Sequence, residues 1–471
     1  MDDQRKAEAM IEVVERLRSV GGRVWLVGGA LRDLLRRRPG FAEERPPLPV
    51  LSTELEPSEI DLATDLTPDV VGRAFPGAPE VGRRFGTVLV QHGGGVFEVT
   101  TLRGEGGYSD GRRPDEVRFG VSIEEDLARR DFTVNALALE LPEGELLDPF
   151  GGLSDLRRGV LRAVGDPERR LAEDGLRAYR ACRFAATLEL GPTVDLRRAL
   201  RDNAAVARGV AWERIGAELN KALDAERPGV CFELLRRVGL LEHCLPELAN
   251  CYGVTQGGRH ELDVYDHSLL TCDRAPRDKP VVRWAALLHD VGKPAARRER
   301  GRRLIFHGHD ELSAKLAERA LRRLKLPGEL RRRVVHLVRR HMFLYTPEWG
   351  DAAVRRFVRR IGVGNLADLF DLVIADRSAH RRDELYAPPA DIVTLMKRIE
   401  GLGVAGAALE LGDLAIDGRD LLRLTGREPG PWVGRLLERL LEEVLEDPEL
   451  NTSDVLLQRA GELLAEEESL D

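Results

Sequence analysis

Two acidic residues two positions apart, Glu59 and Asp61 in "EIDLATD", follow a pair of glycines, Gly28 and Gly29, in "WLVGGALRDLL". In a strand, residues i and i+2 share a face, which sets the two carboxylates about 7 Å apart along the backbone. Two carboxylates aimed at one point repel unless a cation lies between them. Hard divalent ions take oxygen ligands, and Mg²⁺ combines one or two carboxylates with phosphate oxygens. Glycines without a Cβ let the backbone approach a phosphate. A helix opening at Ala30 or Leu31 would aim amide N–H groups at that anion. The same residues also suit a plain surface turn, so the elements that position them decide between the two.

Residues 4–18 have helical periodicity. From Arg23 to about Leu139 the pattern changes to short β-prone runs, "RVWLVGG", "EIDLAT", "TVLVQH" and "GVFEVTTL", separated by Gly- and Pro-rich breaks. This predicts an α+β domain. The proline- and charge-rich stretch from Arg36 to Ser58 reads as a surface loop. From about Pro167 the periodicity is almost entirely helical, with breaks near Cys251–Gly258, Leu344–Gly350 and Tyr386–Pro389. "GVGNLADL" reads as a helix–helix turn, and "VGKP" lacks the spacing of a phosphate-binding loop.

At 471 residues the chain is long enough for about three or four domains. Its net charge of −8 does not advertise a nucleic-acid binder, but local patches rather than the sum decide that. The five cysteines form no C-x-x-C pair, so neither a disulfide framework nor a zinc ribbon is implied. The amphipathic N-terminal segment is no signal peptide, and no apolar run reaches the about 18 residues of a membrane span. These features predict a soluble, cytoplasmic protein with no membrane partner.

The order "LVGGALRDLL…EIDLATD", "FEVTTLRGEGGYSDGRRPDEVRF", "EEDLARRDFTVNALAL", "LLDPFGGLSDLRRGVLRAVGDP", "RLAEDGLRAYRACRFAA" and "WERIGAELNKAL" resembles the class II tRNA nucleotidyltransferase and bacterial poly(A) polymerase family. The match runs over roughly 220 residues, and the C-terminal "LAIDGRDLLRLTGREPGPWVGRLLERLLEEVLEDPELNT" is similar to bacterial CCA-adding enzymes. The resemblance implies a polymerase-beta-like α+β nucleotidyltransferase head over residues 1–150. An all-α body follows: a neck that selects RNA and nucleotide (151–250), an HD domain (251–390) and a helical tail (391–471).

It also implies two Mg²⁺ ions held by Glu59 and Asp61, one acting on the 3′-hydroxyl of RNA and the other on the triphosphate. Glu98, in "FEVTTLR", is a candidate third catalytic carboxylate or an exposed strand residue. The family places Asp where Glu59 stands, and the stretch between Asp33 and Glu59 is longer than its usual connection. Gly28, Gly29, Arg32, Asp33 and Arg180 fall within the matched motifs as nucleotide-binding residues. In "RRDFTVNA" the implied roles are ribose recognition for Asp131 and Asn135 and phosphate contact for Arg130. "YSDGRRP", Tyr108 to Pro114, matches the flexible loop that switches specificity from C to A.

"EDGLR" puts Asp174 and Arg177 at i and i+3 on a helix, hence on one face. A carboxylate only accepts hydrogen bonds and a guanidinium only donates them. Cytosine and adenine share an exocyclic amine beside a ring-nitrogen acceptor, whereas uracil and guanine present a carbonyl where that amine stands. Asp174 and Arg177 can therefore select CTP and ATP without a template.

Eight of the ten histidines fall between His260 and His380. His267, His289 with Asp290, His309, His341 and Asp376 follow an order that resembles an HD-family phosphohydrolase domain. Such a set can surround a divalent transition metal, with His309 and His341 allowing a second. Arginine runs in "ARRERGRRL", "ELRRRVVHLVRR" and "VRRFVRR" suit solvated helix faces, some of them facing an RNA backbone.

The expected function is template-independent addition or repair of the 3′-terminal CCA of tRNA from CTP and ATP. An A-adding or CC-adding specialist, a poly(A) polymerase, an HD phosphohydrolase with a decayed head, and a non-catalytic RNA-binding protein remain alternatives.

Overall fold

The computed structural model describes residues 2–37, 41, 60–78, 86–106, 116–142, 144–257, 261–301, 303–379, 388–403 and 409–468. Glu59, the Tyr108–Pro114 loop and nearly all of the Arg36–Ser58 stretch lie outside them. The chain divides into two compact units, Met1–Leu245 and Pro246–Asp471.

The first unit is built on a six-stranded sheet ordered β3-β4-β2-β1-β7-β8. The strands are β1 (Val24–Val27), β2 (Ile60–Thr64), β3 (Thr87–His92), β4 (Gly95–Thr101), β7 (Ala138–Leu141) and β8 (Leu146–Leu147). A separate hairpin pairs β5 (Arg103–Gly106) with β6 (Glu116–Phe119). The four β-prone runs of the sequence are thus strands, and their alternation sorts the side chains. Val24, Leu26, Ile60, Leu62, Phe97 and Val99 face one way, into a core shared with α1 (Asp2–Ser19), α2 (Gly28–Arg36) and α3 (Pro68–Ala74). Trp25, Val27 and Ala63 face the other way, into a smaller core with Ile123 and Leu127 of α4 (Ile123–Ala128). Asp61 and Glu98 lie on that second face, beyond the end of the smaller core.

One ladder sets the site. β2 runs parallel to β4 with Asp61 opposite Glu98, while β1 runs antiparallel to β2. The helix after β1 begins at Gly28 itself, not at Ala30 or Leu31. Gly28 has φ +70°, and a Cβ there would lie 3.0 Å from Arg130 Nη1 and 3.2 Å from Asp61 Oδ2. Glycine therefore permits both the left-handed turn and the close approach.

The rest of the first unit is helical, including α5 (Gly152–Arg157), α6 (Pro167–Glu173), α7 (Leu176–Thr187), α8 (Val194–Asp202), α9 (Ala204–Arg208) and α10 (Trp212–Ala222). The expected single helix through "EDGLR" is broken. Asp174 ends α6 in an extended conformation and α7 starts at Leu176. Gly175 sits in the break, where a Cβ would come 2.6 Å from Val206 O and 2.8 Å from Ala207 Cα.

The second unit packs α14 (Val264–Arg274), α15 (Pro280–Leu288), α17 (His309–Arg323), α18 (Gly328–Arg340) and α20 (Leu366–Ser378) around a common core; α13 and α16 are the short helices Pro246–Ala249 and Lys293–Ala296, and α19 spans Asp351–Ile361. A 3₁₀ turn at Val363–Asn365 joins α19 to α20, as "GVGNLADL" suggested. "ARRERGRRL" is not a helix face: Arg298–Arg300 pairs with Arg303–Ile305 as a hairpin. No helix among the described residues is long and apolar enough to cross a membrane.

The two glycines of the first turn make different demands. Gly28→Ala should lower the urea-unfolding free energy by about 1–2 kcal/mol through left-handed strain. Gly29→Ala, whose Cβ would meet the Arg32 guanidinium no closer than 3.5 Å, at Nη2, should change it by less than about 0.5 kcal/mol.

Candidate active site and metal centre

The first unit carries a cleft of about 610 Å³. Its walls bring together Gly28, Gly29, Arg32 and Asp33 from the first turn, Asp61 and Glu98 from the sheet, and Arg130, Asp131 and Asn135 from the "RRDFTVNA" segment. Asp174, Arg177 and Arg180, on either side of the helix break, complete the set. Every head residue named from the sequence therefore reaches one cleft, except Glu59, which lies outside the described residues.

Asp61 is half-buried and Glu98 exposed on adjacent parallel strands. With strands about 4.8 Å apart, the two carboxylates face one space. They adjoin the bare backbone of Gly28 and the start of α2. This is the oxygen-rich setting that a divalent cation and a polyphosphate share.

Deeper in the cleft the charges are paired. Buried Arg32 donates from Nη1 to Asn135 Oδ1 at 2.5 Å and grips Asp33 through Nε and Nη2, both at 2.8 Å. Asn135 Nδ2 donates to Asp131 Oδ1 at 3.0 Å, and Arg180 Nε donates to Asp131 Oδ2 at 2.6 Å. Burial pushes the Asp131 carboxyl up, but Arg180 and the Asn135 hydrogen bond outweigh it and hold the group at about 2. Asp131 is thus an ionised acceptor, oriented from two sides.

Asp174 receives both terminal nitrogens of Arg214, at 2.8 and 3.3 Å, and the backbone N–H of Leu176 at 2.9 Å. Arg177 donates to Glu173 Oε2 at 2.6 Å, to Arg170 O at 2.8 Å and to Arg129 O at 3.2 Å. The cleft also holds residues that the motif reading did not single out: Arg37, Arg103, Asp126, Arg129, Arg183, Phe184, Arg214 and Lys221. Arg214 and Lys221 lie within "WERIGAELNKAL", which carried the family resemblance without saying which of its residues meet the cleft.

In the second unit, His267, His289, Asp290, His309 and His341 are buried and Asp376 is half-buried. Their potential ligand atoms form two overlapping groups, His267–His289–Asp290 and Asp290–His309–His341, each within 4.8 Å. Asp376 Oδ1 lies 2.9 Å from His267 Nε2 and 3.5 Å from His289 Nε2. Each Nδ1 faces a backbone carbonyl: Ala379 at 3.3 Å for His267, Ala286 at 2.8 Å for His289, Phe306 at 2.8 Å for His309 and Val338 at 2.7 Å for His341.

A carbonyl only accepts, so each Nδ1 donates to its carbonyl and each Nε2 is the ring atom turned inward, where its lone pair would meet a cation. His289 Nε2, Asp290 Oδ1 and His309 Nε2 are buried with no hydrogen-bond partner. Acceptors converging on acceptors fit a cation, and Asp290 stands between the two groups. Where no cation takes that place, a proton does: burial disfavours it on His289, but Asp290 and Asp376 raise the pKa to about 10. Burial and the charge on His289 lower His341 to about 4.

This cluster should bind Mn²⁺ in titration calorimetry, more tightly as pH rises toward about 10, because cation and proton compete for the His289 imidazole. Asp290→Ala should abolish binding to both groups, whereas His309→Ala should leave one.

Comparisons with known proteins agree with this layout. The family model described as "Poly A polymerase head domain" matches residues 24–162. "Probable RNA and SrmB- binding site of polymerase A" matches 193–252, and "HD domain" matches 257–400. The chain is 40% identical over 384 residues to the A-adding tRNA nucleotidyltransferase of Deinococcus radiodurans, covering 77% of this chain and 85% of that one. It is 32% identical over 433 residues to the CCA-adding enzyme of Lactobacillus delbrueckii subsp. bulgaricus, covering 92% of each. The structure resembles the crystal structure of the Bacillus stearothermophilus CCA-adding enzyme in complex with CTP, with a TM-score of 0.70, 26% identity and coverage of 98% and 99%. The chain, in which a poly(A) polymerase head domain precedes an HD domain, belongs to the tRNA nucleotidyltransferase family.

Proposed function

We propose that the chain is a template-independent RNA nucleotidyltransferase that adds or repairs the 3′-terminal CCA of tRNA from CTP and ATP. The carrying observation is the cleft whose lining joins Asp61, Glu98 and Gly28 to Asp174 and Arg177, with Asp61 opposite Glu98 on the paired strands and close to Gly28. Asp61, with Glu59 and Glu98, would hold two Mg²⁺ ions, which supply charge neutralisation for the attacking 3′-hydroxyl and the leaving pyrophosphate. The Gly28–Gly29 turn and Arg130 meet the triphosphate, and Asp131 and Asn135 meet the ribose. Asp174 accepts from the base amine, and Arg177 donates to the ring nitrogen beside it.

The head, neck, HD domain and tail follow the divisions 1–150, 151–250, 251–390 and 391–471. In the HD domain, His267, His289, Asp290, His309, His341 and Asp376 take a divalent transition metal. A second reading, addition of the terminal A alone, is favoured by the 40% identity to an A-adding relative.

Three tRNA transcripts ending at the discriminator base, at C and at CC separate the readings when incubated with Mg²⁺ and CTP, ATP or both. All three should reach CCA and stop. Growth from the CC end alone would establish the A-adding reading, and a long A tail would overturn both.

A further inference from the structure

The base-selecting carboxylate is itself held from behind. Asp174 has about four lone-pair positions. Leu176 N–H and Arg214 Nη1 occupy Oδ1 at 2.9 and 3.3 Å, and Arg214 Nη2 occupies one position of Oδ2 at 2.8 Å. One acceptor position remains, on Oδ2. Arg177 is held in the same manner. Three of its five N–H groups go to Arg170 O, Glu173 Oε2 and Arg129 O, which leaves Nε–H and one Nη2–H.

We propose that Arg214 on α10 is a specificity-positioning residue, whose fork reduces Asp174 to a single acceptor in a fixed direction and thereby excludes guanine and uracil. The reason is geometric. A carboxylate with both oxygens open suits the adjacent N1–H and N2–H groups of guanine, which two parallel hydrogen bonds would join to it. It can also turn to accept N3–H of uracil. With Arg214 across both oxygens, neither arrangement is open, and a lone amine donor still is. The fork matters as well as the charge, because an ammonium is a point charge that cannot span two oxygens.

The same helix serves the sugar end with the opposite sign. Glu218, one turn after Arg214, accepts from Arg183 Nε at 2.6 Å and lies 3.9 Å from Arg180 Nη1. Arg180 in turn holds Asp131. Disturbing Glu218 perturbs this helix and the network beside the ribose without touching the base-facing carboxylate. It is therefore the contrasting variant.

The inference rests on the proposed CTP- and ATP-adding reading, and the experiment keeps the two apart. Single-nucleotide extension of tRNA would be followed with each of the four triphosphates for wild type, Arg214→Gln, Arg214→Lys and Glu218→Gln. Equilibrium binding of the same triphosphates to each protein provides a readout independent of turnover, and thermal midpoints check folding. Arg214→Gln and Arg214→Lys should lower the kcat/KM preference for CTP over UTP and for ATP over GTP by about tenfold or more, with GTP gaining most. The binding preference should narrow in parallel. Glu218→Gln should raise KM for all four triphosphates together and keep the preferences within about twofold.

An equal loss for all four triphosphates in the Arg214 variants would overturn the inference and leave Arg214 a structural ion pair. So would a change of preference in Glu218→Gln as large as that in Arg214→Gln. A wild type that extends no tRNA would remove the functional reading, and the binding preferences would then judge Arg214 by themselves.

Discussion

The site depends on the parallel pairing of β2 with β4. That ladder sets Asp61 opposite Glu98, and the period of two along each strand turns Ile60, Leu62, Phe97 and Val99 into the core behind them. A shift of one residue in either strand would bury a carboxylate and expose an aliphatic side chain, so the core enforces the register on which the acidic site relies. Gly28 lies beside this pair because β1 is the other neighbour of β2 and the chain turns out of β1 at a residue with no Cβ. Three strands, α2 and one left-handed glycine thus define the place where the proposed reaction would bring a phosphate and its cations together.

Around this centre the cleft is crowded with arginines, and the fold orients them through carboxylates. Asp131 is gripped by Arg180 and Asn135, Asp33 by Arg32, Glu173 by Arg170 and Arg177, and Glu218 by Arg183. Each pairing keeps a buried or half-buried charge from standing alone, which would cost several kcal/mol. It also fixes the direction in which the remaining donors and acceptors point, as the proposed choice of a base by side chains requires. The histidine centre of the second unit solves a related problem in the opposite way. Its backbone carbonyls take the Nδ1 protons and leave lone pairs and carboxylates converging, a demand that a cation meets.

Much of this was legible in the sequence. Strand alternation and glycine breaks are local signals that located the sheet, and carboxylate spacing pointed to Glu59 and Asp61; most other candidate residues came from the motif order that resembles the family. Local signals also misled. The i, i+3 spacing of Asp174 and Arg177 reads as one helix face, yet the tight fit of Gly175 against Val206 and Ala207 breaks the helix between them. The arginines of Arg298–Ile305 read as helix, but the turn at Gly301, with φ +62°, folds them into a hairpin. Arg214 and Glu218 lay in a stretch that carried the family resemblance, but their roles were not legible, because their partners lie 40 and 35 residues away in sequence. Charge complementarity across such a gap appears only once the helices are packed.

The most direct test of the account is the single-turnover rate of CTP and ATP addition in Asp61→Asn, alongside tRNA affinity and the thermal midpoint. The change keeps the volume of the side chain while removing its charge. If Asp61 and its neighbours hold the catalytic cations, the rate should fall by about a thousandfold, equivalent to several kcal/mol of transition-state stabilisation, with tRNA affinity and midpoint close to wild type. Addition within about tenfold of the wild-type rate would contradict it and move the chemistry away from the β2–β4 ladder.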